Sequence, residues 1–449
     1  MCGIAEVLLN LGYEVSGSDI SQSDVIFRLR GLGARVTLGH KAENIKDVDV
    51  VVYSSAVTKE NVEVSAALRR KIPVIRRAEM LAELMRMKYS IAVAGTHGKT
   101  TTTSLIGTIL ATAGLDPTVV VGGQINAFGA NARLGTGEYL VAEADESDGT
   151  FLHLLPTIAI VTNIDDEHLD FYPDLAAIKA AFLEFVNQVP FYGFSVLCLD
   201  HPTVQEMVPG VEKRFFTYGF GGQADFIGED FRYEGEEIVF MVRRREVRMG
   251  ELRLRIPGRH NAYNSLAAAA VANVLDVPFE AIQTGLRKFQ GISRRFERVG
   301  EIRDVLVVDD YGHHPEEIRA TLRAAREAHP DRRLIVVFQP HRYTRTSYLG
   351  EAFHTSFYDS DVLLVAPIYA AGENLIEGID SSNVTEGVQS HGHKCCEEVD
   401  GLEEAVKRLI EIVAPGDLVL TLGAGTVWKV GQWFIEQMAR NEKRAENIG

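Results

Sequence analysis

The sequence predicts an α/β protein of three domains, on three observations. Short apolar runs of strand character alternate with helix-length segments along the whole chain, the pattern of parallel sheets covered by helices. Many of these runs end in Asp, Ser, Asn, His or Gly, and open parallel sheets bind ligands at the carboxyl ends of their strands. The chain has 449 residues, 46% of them hydrophobic, which is enough for a separate core in each of about three domains.

Composition removes several function classes. Lys and Arg total 46 and Asp and Glu 62, for a net charge of −16. A nucleic-acid partner is disfavoured, because little basic surface remains to track a phosphate backbone. No run of about 18 apolar residues exists, so no membrane span is expected, and no charged-then-apolar leader opens the chain. Cys2, Cys198, Cys395 and Cys396 lack metal-ligand spacing, and adjacent Cys395 and Cys396 read as free thiols. A cytoplasmic, reducing compartment is the expectation. Oligomeric state is not legible.

The first domain is placed at residues 1–88. An apolar helix, 3–11, ends at Gly12, and a short strand from Tyr13 ends at Ser18 and Asp19. A helix over 23–32, strands at 35–38 and 48–53, the strand-end loop of Ser54 and Ser55, a strand at 73–75 and a helix over 78–87 complete the alternation. Asp19, Ser54 and Ser55 are substrate-binding candidates. Asp19 stands where such folds meet a sugar hydroxyl, and also where a helix cap would stand. A Rossmann-type unit needs a strand and a glycine turn before its first helix. Here the chain starts inside that helix, so an incomplete sheet is expected.

The second domain, 89–292, contains the most informative stretch. A buried strand from Ser90 to Ala94 runs into Gly95-Thr96-His97-Gly98-Lys99-Thr100-Thr101 and then a helix. Strand, glycine-bounded loop and helix start form an anion cradle: backbone N–H groups and the helix dipole converge on one point. Lys99 adds a full charge for nucleotide phosphates, and the Thr100 hydroxyl suits Mg²⁺. The general P-loop pattern requires glycine at position 93, which is Val93, so only the shorter form is present. Two later strands bring acid to the same edge. One ends Glu143-Ala-Asp-Glu-Ser-Asp148, the other Asn163-Ile-Asp-Asp-Glu-His168. Glu143 is the first candidate metal ligand and His168 the second, while most of Asp165, Asp166 and Glu167 reads as a solvated turn. Residues 214–256 read as irregular strands and hairpins. Gly258-Arg-His-Asn261 opens an Ala-rich helix in which Asn261 or Asn264 can read an adenine edge; Asn261 can equally cap the helix.

The third domain, 293–449, is a second Rossmann-like alternation. Ser293-Arg294-Arg295-Phe296 leads in. The strand 305–310 ends Asp309-Asp310-Tyr311-Gly312-His313-His314-Pro315, and Pro315 starts a helix. The strand 333–338 ends Gln339-Pro340-His341-Arg342-Tyr343-Thr344-Arg345. Arg342 and Arg345, three apart, can fork onto a carboxylate or phosphate. The charged tail from Asn441 is expected to fray.

Together these motifs, Gly95–Thr101, Glu143–Asp148, Asn163–Asp170, Gly258–Asn261 and Asp309–Pro315, resemble the Mur ligase family over nearly the whole chain. The resemblance implies a UDP-sugar domain (here without its first strand), a central P-loop ATPase-like domain and a C-terminal domain that closes over both. It implies ATP and Mg²⁺ as cofactors, and UDP-N-acetylmuramate and L-alanine as substrates. It assigns Gly95 to Thr101 and Asn264 to ATP, and Thr100, Glu143 and His168 to metal. His313, Arg342 and Arg345 go to the amino acid and reacting carboxyl. In the mechanism this suggests, Lys99, His168 and His313 are the catalytic candidates, and Arg294 or Arg295 is a candidate for the intermediate's phosphate, with Arg295 counted among the substrate-binding residues. Several members that add later amino acids use a carbamylated lysine after the Asp-His segment; this chain reads Ala180-Ala181-Phe182-Leu183 there, with Phe182 near that place, which favours the alanine-adding branch. Family members also begin with a Gly-Ile-Gly-Gly-Ile-Gly-Met turn, of which Met1 occupies the end, so a longer start is expected.

Overall fold

The computed structural model describes residues 1–446 except 55–56, 59, 126–129 and 168–170. The chain divides into two compact units. One comprises Met1–Phe231, Phe240–Arg253 and Ala262–Gln290; the other comprises Arg232–Val239, Leu254–Asn261 and Gly291–Gly449.

In the first unit the N-terminal segment is a Rossmann-like alternation of short strands and helices. Ser16–Asp19 pairs in parallel with Arg35–Leu38, and Val51–Tyr53 with Val74–Arg76. These are separate two-stranded sheets, and no strand among the described residues joins them. The helix Cys2–Asn10 is anchored elsewhere. Its Ile4 and Val7 join the core that contains Leu81, Leu84 and Met85 of the helix Arg77–Arg86.

The rest of that unit is built on a ten-stranded sheet. Tyr89–Ala94 lies inside it, paired in parallel with Tyr139–Glu143 on one side and Ile158–Val161 on the other. Ile91 to Ala94 are fully buried, which is why this strand reads as an uninterrupted apolar run. The helix Leu175–Asn187, capped by the Asp174 carboxylate on Ala177 N at 2.8 Å, sends Phe182 and Phe185 against Phe151. Phe182 is therefore a core residue.

Two expectations fail here. Residues 214–256 are not irregular: Phe215–Gly219, Phe226–Glu234, Glu237–Arg244 and Val247–Leu254 extend the same sheet. Their Arg and Glu content reflects a solvated face, since burial alternates along the second half of Phe226–Glu234. Nor does Asn261 cap its helix. It lies inside Arg259–Val274 and donates Nδ2 to Pro257 O at 2.7 Å.

The second unit centres on a six-stranded sheet in the order Glu297–Ile302, Val305–Asp310, Leu418–Leu422, Leu334–Phe338, Val362–Val365, Cys396–Glu398. Only the first pairing is antiparallel. Pro315–Ala328 and Ser381–Ser390 cover one face through Ile318, Leu322, Val384 and Val388. Leu402–Ile412 and Trp428–Glu446 cover the other through Val406, Leu409, Val430 and Phe434. The tail expected to fray is helical to Glu446. Among the described residues no helix is long and apolar enough to cross a membrane.

Candidate active site

The loop after Tyr89–Ala94 is shaped by two glycines and held by the next strand's end. Gly95 has φ +135°, and a Cβ there would lie 2.0 Å from Thr162 Oγ1. Gly98 has φ +84°, and its Cβ would meet Asn264 Oδ1 at 2.5 Å. Both positions combine a left-handed conformation with close approach, so only glycine fits. Asn163 closes the loop from the side. Its Oδ1 accepts His97 N at 2.7 Å, its Nδ2 donates to His97 O at 3.0 Å, and its backbone O accepts Thr96 N at 3.1 Å. Thr162 Oγ1 also donates to His97 O at 2.6 Å, and Thr96 Oγ1 accepts Asp165 N at 2.8 Å.

Lys99 opens the helix Lys99–Thr112, with Thr100 and Thr101 in its first turn. Its ammonium donates to Gly95 O at 2.6 Å, Thr96 O at 3.1 Å and Glu146 Oε1 at 2.8 Å. Burial works against the lysine charge, but the Glu146 carboxylate outweighs it and holds the ammonium above its ordinary pKa. Glu146, 2% exposed, is itself pushed up by burial, with Lys99 opposing. Its backbone O accepts Tyr172 Oη at 2.8 Å. Sequence reasoning quoted Glu146 only as part of an acidic run and gave it no role. That run, directly after a buried strand, is the signal that could have found it.

Glu143 ends the strand beside the loop, in register with Val93, two residues before Gly95. A carboxylate here and the Thr100 hydroxyl are both hard oxygen donors, the set Mg²⁺ prefers. Among the described residues no group of three or more His, Cys, Asp or Glu forms a metal cluster, and Mg²⁺ bound with substrate phosphates needs few protein ligands. His168 lies outside the described residues, as does Ser55. Asp165 is not simply solvated: it lies 3.6 Å from His97 Nε2 and 3.2 Å from His201 Nε2, while Asp166 is exposed. Asn264, 5% exposed, accepts Thr102 Oγ1 at 3.3 Å and lies against Gly98, so it supports the loop. Asp19 is exposed and accepts Ser21 N, a turn-capping position, and Ser54 follows the strand Val51–Tyr53, its backbone O accepting Val57 N.

In the second unit the carboxyl ends of Val305–Asp310 and Leu334–Phe338 bring together His313, His341 and Arg345. The His313 ring packs against Tyr311 at 5.4 Å and His341 at 5.7 Å, and His341 stacks on Tyr369 at 5.7 Å. Arg345 Nη1 is 3.2 Å from His341 Nδ1. A guanidinium only donates, so Nδ1 of His341 is the acceptor and carries no proton. Burial, then the charges of His313, Arg345 and Arg342, push His341 down to about 4, in keeping with that tautomer. Arg342 is exposed, at φ +70°. Arg295 lies over the Tyr311 ring, with Nη1 3.4 Å from Glu317 Oε1. Arg294 is not a free anion ligand. It donates to Asp309 Oδ2, to the carbonyls of Ala424 and Gly425, and to that of Gly423. Asp310, buried, is pushed up to about 6 by that burial, against Arg295 and the N–H groups of Gly312 and Phe296. His341, like Glu146, has no role in the sequence analysis, although it lies in view between Pro340 and Arg342.

An α/β fold with a glycine-bounded loop between a buried strand and a helix suits a nucleotide-dependent enzyme, and comparison gives the family. Residues 1–89 match the Mur ligase family catalytic domain, 93–272 the Mur ligase middle domain and 294–425 the Mur ligase glutamate ligase domain. The chain belongs to the Mur ligase family. It is similar, at 57% identity over 439 residues, to a UDP-N-acetylmuramate–L-alanine ligase of Syntrophobacter fumaroxidans, spanning 98% of this chain and 94% of that one. A ligase of the same name from Geotalea uraniireducens is 55% identical, over 98% and 95%. Among solved structures, a UDP-N-acetylmuramate–alanine ligase from Thermotoga maritima superposes with a TM-score of 0.83 at 27% identity, covering 98% of this chain and 97% of that one. A MurF ligase from Thermotoga maritima, solved with ADP, shares the fold at 20% identity and a TM-score of 0.67, covering 89% of this chain and 97% of its own.

Proposed function

We propose that this chain joins L-alanine to the carboxylate of UDP-N-acetylmuramate with ATP, through an acyl phosphate, in cytoplasmic peptidoglycan precursor synthesis. What carries the reading is the loop Gly95–Thr101, with Lys99 held at its centre, in a chain 57% identical over 439 residues to a ligase of that name. Residues 1–88 would take the UDP-sugar, 89–292 ATP and 293–449 the amino acid.

A carboxylate resists an amine because it is negative and oxide is a very poor leaving group. Transfer of the ATP γ-phosphoryl to a carboxylate oxygen removes both obstacles. The loop N–H groups and Lys99 take the β- and γ-phosphate charge. Thr100 and Glu143, with His168, would hold Mg²⁺, which when bound neutralises phosphate charge. Alanine's amine then attacks the acyl carbon, and phosphate leaves with the former carboxylate oxygen. Arg342 and Arg345 would hold alanine's own carboxylate and aim the amine. His313, whose Nδ1–H is donated to Tyr311 O at 3.1 Å, would orient or deprotonate the amine. Arg295 would meet the departing phosphate.

The test is mass spectrometry of products from UDP-N-acetylmuramate, ATP, Mg²⁺, mixed amino acids and the tripeptide L-alanyl-γ-D-glutamyl-meso-diaminopimelate. An alanine adduct with equimolar phosphate is expected. A tripeptide adduct would instead assign the chain to the recycling branch of the family, and ligand binding with no phosphate release would make it a nucleotide-sugar-binding protein.

A further inference from the structure

A polar cluster separate from both regions above lies at the carboxyl end of Ser16–Asp19. Its hub is Glu63, in the first turn of Val62–Arg69. Glu63 Oε2 accepts Ser18 Oγ at 2.6 Å, and Oε1 accepts Asn44 Nδ2 at 2.6 Å and Lys41 N at 3.2 Å. His40 Nδ1 lies 2.9 Å from Ser18 Oγ and 3.4 Å from Glu63 Oε2. Burial opposes the Glu63 charge, but hydrogen bonds from Ser18, Asn44 and Lys41 hold the carboxyl below its ordinary range.

These contacts fix where one proton sits. Serine has a single hydroxyl proton, and the 2.6 Å bond commits it to Glu63, a carboxylate with none to give. The bond between Ser18 and His40 is then donated by the imidazole, so His40 carries a proton on Nδ1. In the neutral imidazole the lone pair is therefore on Nε2. The His40 side chain is 26% exposed, and Nε2 makes no hydrogen bond among the described residues. Strand carboxyl ends are where open parallel sheets meet ligands. Asp19, the residue that sequence reasoning put forward, faces solvent and accepts Ser21 N instead.

We propose that Glu63, through Ser18, fixes His40 as an acceptor at Nε2 for a hydroxyl group of a nucleotide sugar. Glu63 is a positioning residue, and the inference rests on the UDP-sugar reading of residues 1–88. A lone pair at Nε2 accepts a hydroxyl proton; with a proton there, the same hydroxyl has to turn round, accept at its oxygen and give up the partner that its lone pair or proton would otherwise have met. Glu63→Gln reverses the relay. The amide donates to Ser18 Oγ, the serine proton turns to His40 Nδ1, and the imidazole proton moves to Nε2.

The test measures UDP-N-acetylmuramate binding by calorimetry, steady-state kinetics, and the ¹⁵N shifts of His40, in the full chain and in Glu63→Gln and His40→Asn. The wild type should show a protonated Nδ1, and Glu63→Gln should show the other tautomer. Each variant should bind the UDP-sugar on the order of tenfold more weakly, the loss of about one hydrogen bond. KM for ATP and alanine should stay within about twofold, a separation that a merely structural role for Glu63 would not give. Unchanged UDP-sugar affinity in His40→Asn, or a wild-type proton on Nε2, overturns the inference even if Glu63→Gln fails to fold. Absence of UDP-sugar binding by the wild type overturns the reading of the domain, and the inference with it.

Discussion

The glycine loop Gly95–Thr101 and the His–Arg cluster of the C-terminal sheet are built in opposite ways. The loop is seven consecutive residues, and its shape follows from Gly95, Gly98 and the partners that press on them, Thr162 and Asn264. The C-terminal cluster gathers His313 from one strand end, His341 and Arg345 from another, and Tyr369 from beyond a third. A contiguous site is written in the chain as a motif. A site assembled across a sheet appears in sequence only as single residues at strand ends, whose partners the topology chooses.

The comparison can be broken at the loop first. Lys99→Ala should lower ligation on the order of 10³-fold or more, with unchanged circular dichroism, because no other described cation reaches Gly95 O and Glu146 together. Near wild-type product formation would remove the loop from catalysis. Gly95→Ala should cost stability as well as activity. With Thr162 Oγ1 2.0 Å from the new Cβ and φ at +135°, a loss of roughly 2–4 kcal/mol is expected in denaturant unfolding. A midpoint shift too small to resolve would mean the loop gives way easily.

The C-terminal cluster should answer more selectively. Arg345→Ala should raise KM for alanine on the order of tenfold and leave KM for ATP alone; an unchanged alanine KM would take Arg345 out of the amino-acid site. The smallest effect concerns pH. His341 is held at about 4, below the ordinary histidine value of 6.5. Between those values the unfolded chain binds the proton and the folded one does not, so this group's contribution is present above about pH 6.5 and is lost as pH falls toward 4. Asp310, raised to about 6 from 3.8, acts in the other direction: its protonated form favours the fold, and that contribution fades as pH rises through 6. Over pH 4–6 the two slopes oppose. His341→Asn should make stability fall more steeply as pH rises across that window, measured by melting temperature; an unaltered slope would separate His341 from the cluster.

Much of this architecture was legible from residues alone. The strand–loop–helix of residues 89–112 needed only an apolar run, two glycines and a lysine, and Val305–Asp310 and Leu334–Phe338 needed only their β-branched content. What stayed hidden depended on long-range pairing. Arg- and Glu-rich strands 215–254 looked irregular because one face is solvated. Asn261 looked like a cap because its carbonyl partner, Pro257, cannot be read from spacing. Glu146 and His341 were each visible as letters, but Glu146 acquires meaning only when burial brings it to Lys99, and His341 only when the sheet stacks it on Tyr369. The same limit applied to Ser18, His40 and Glu63, spread over 46 positions of the chain and joined by a parallel pair and one helix start.

The most direct test of the central chemistry follows oxygen. UDP-N-acetylmuramate labelled with ¹⁸O in its muramate carboxylate is turned over with ATP, Mg²⁺ and L-alanine, and the released phosphate is weighed. Activation by phosphoryl transfer predicts one ¹⁸O in each phosphate formed with the amide; phosphate without label, alongside amide product, would contradict it.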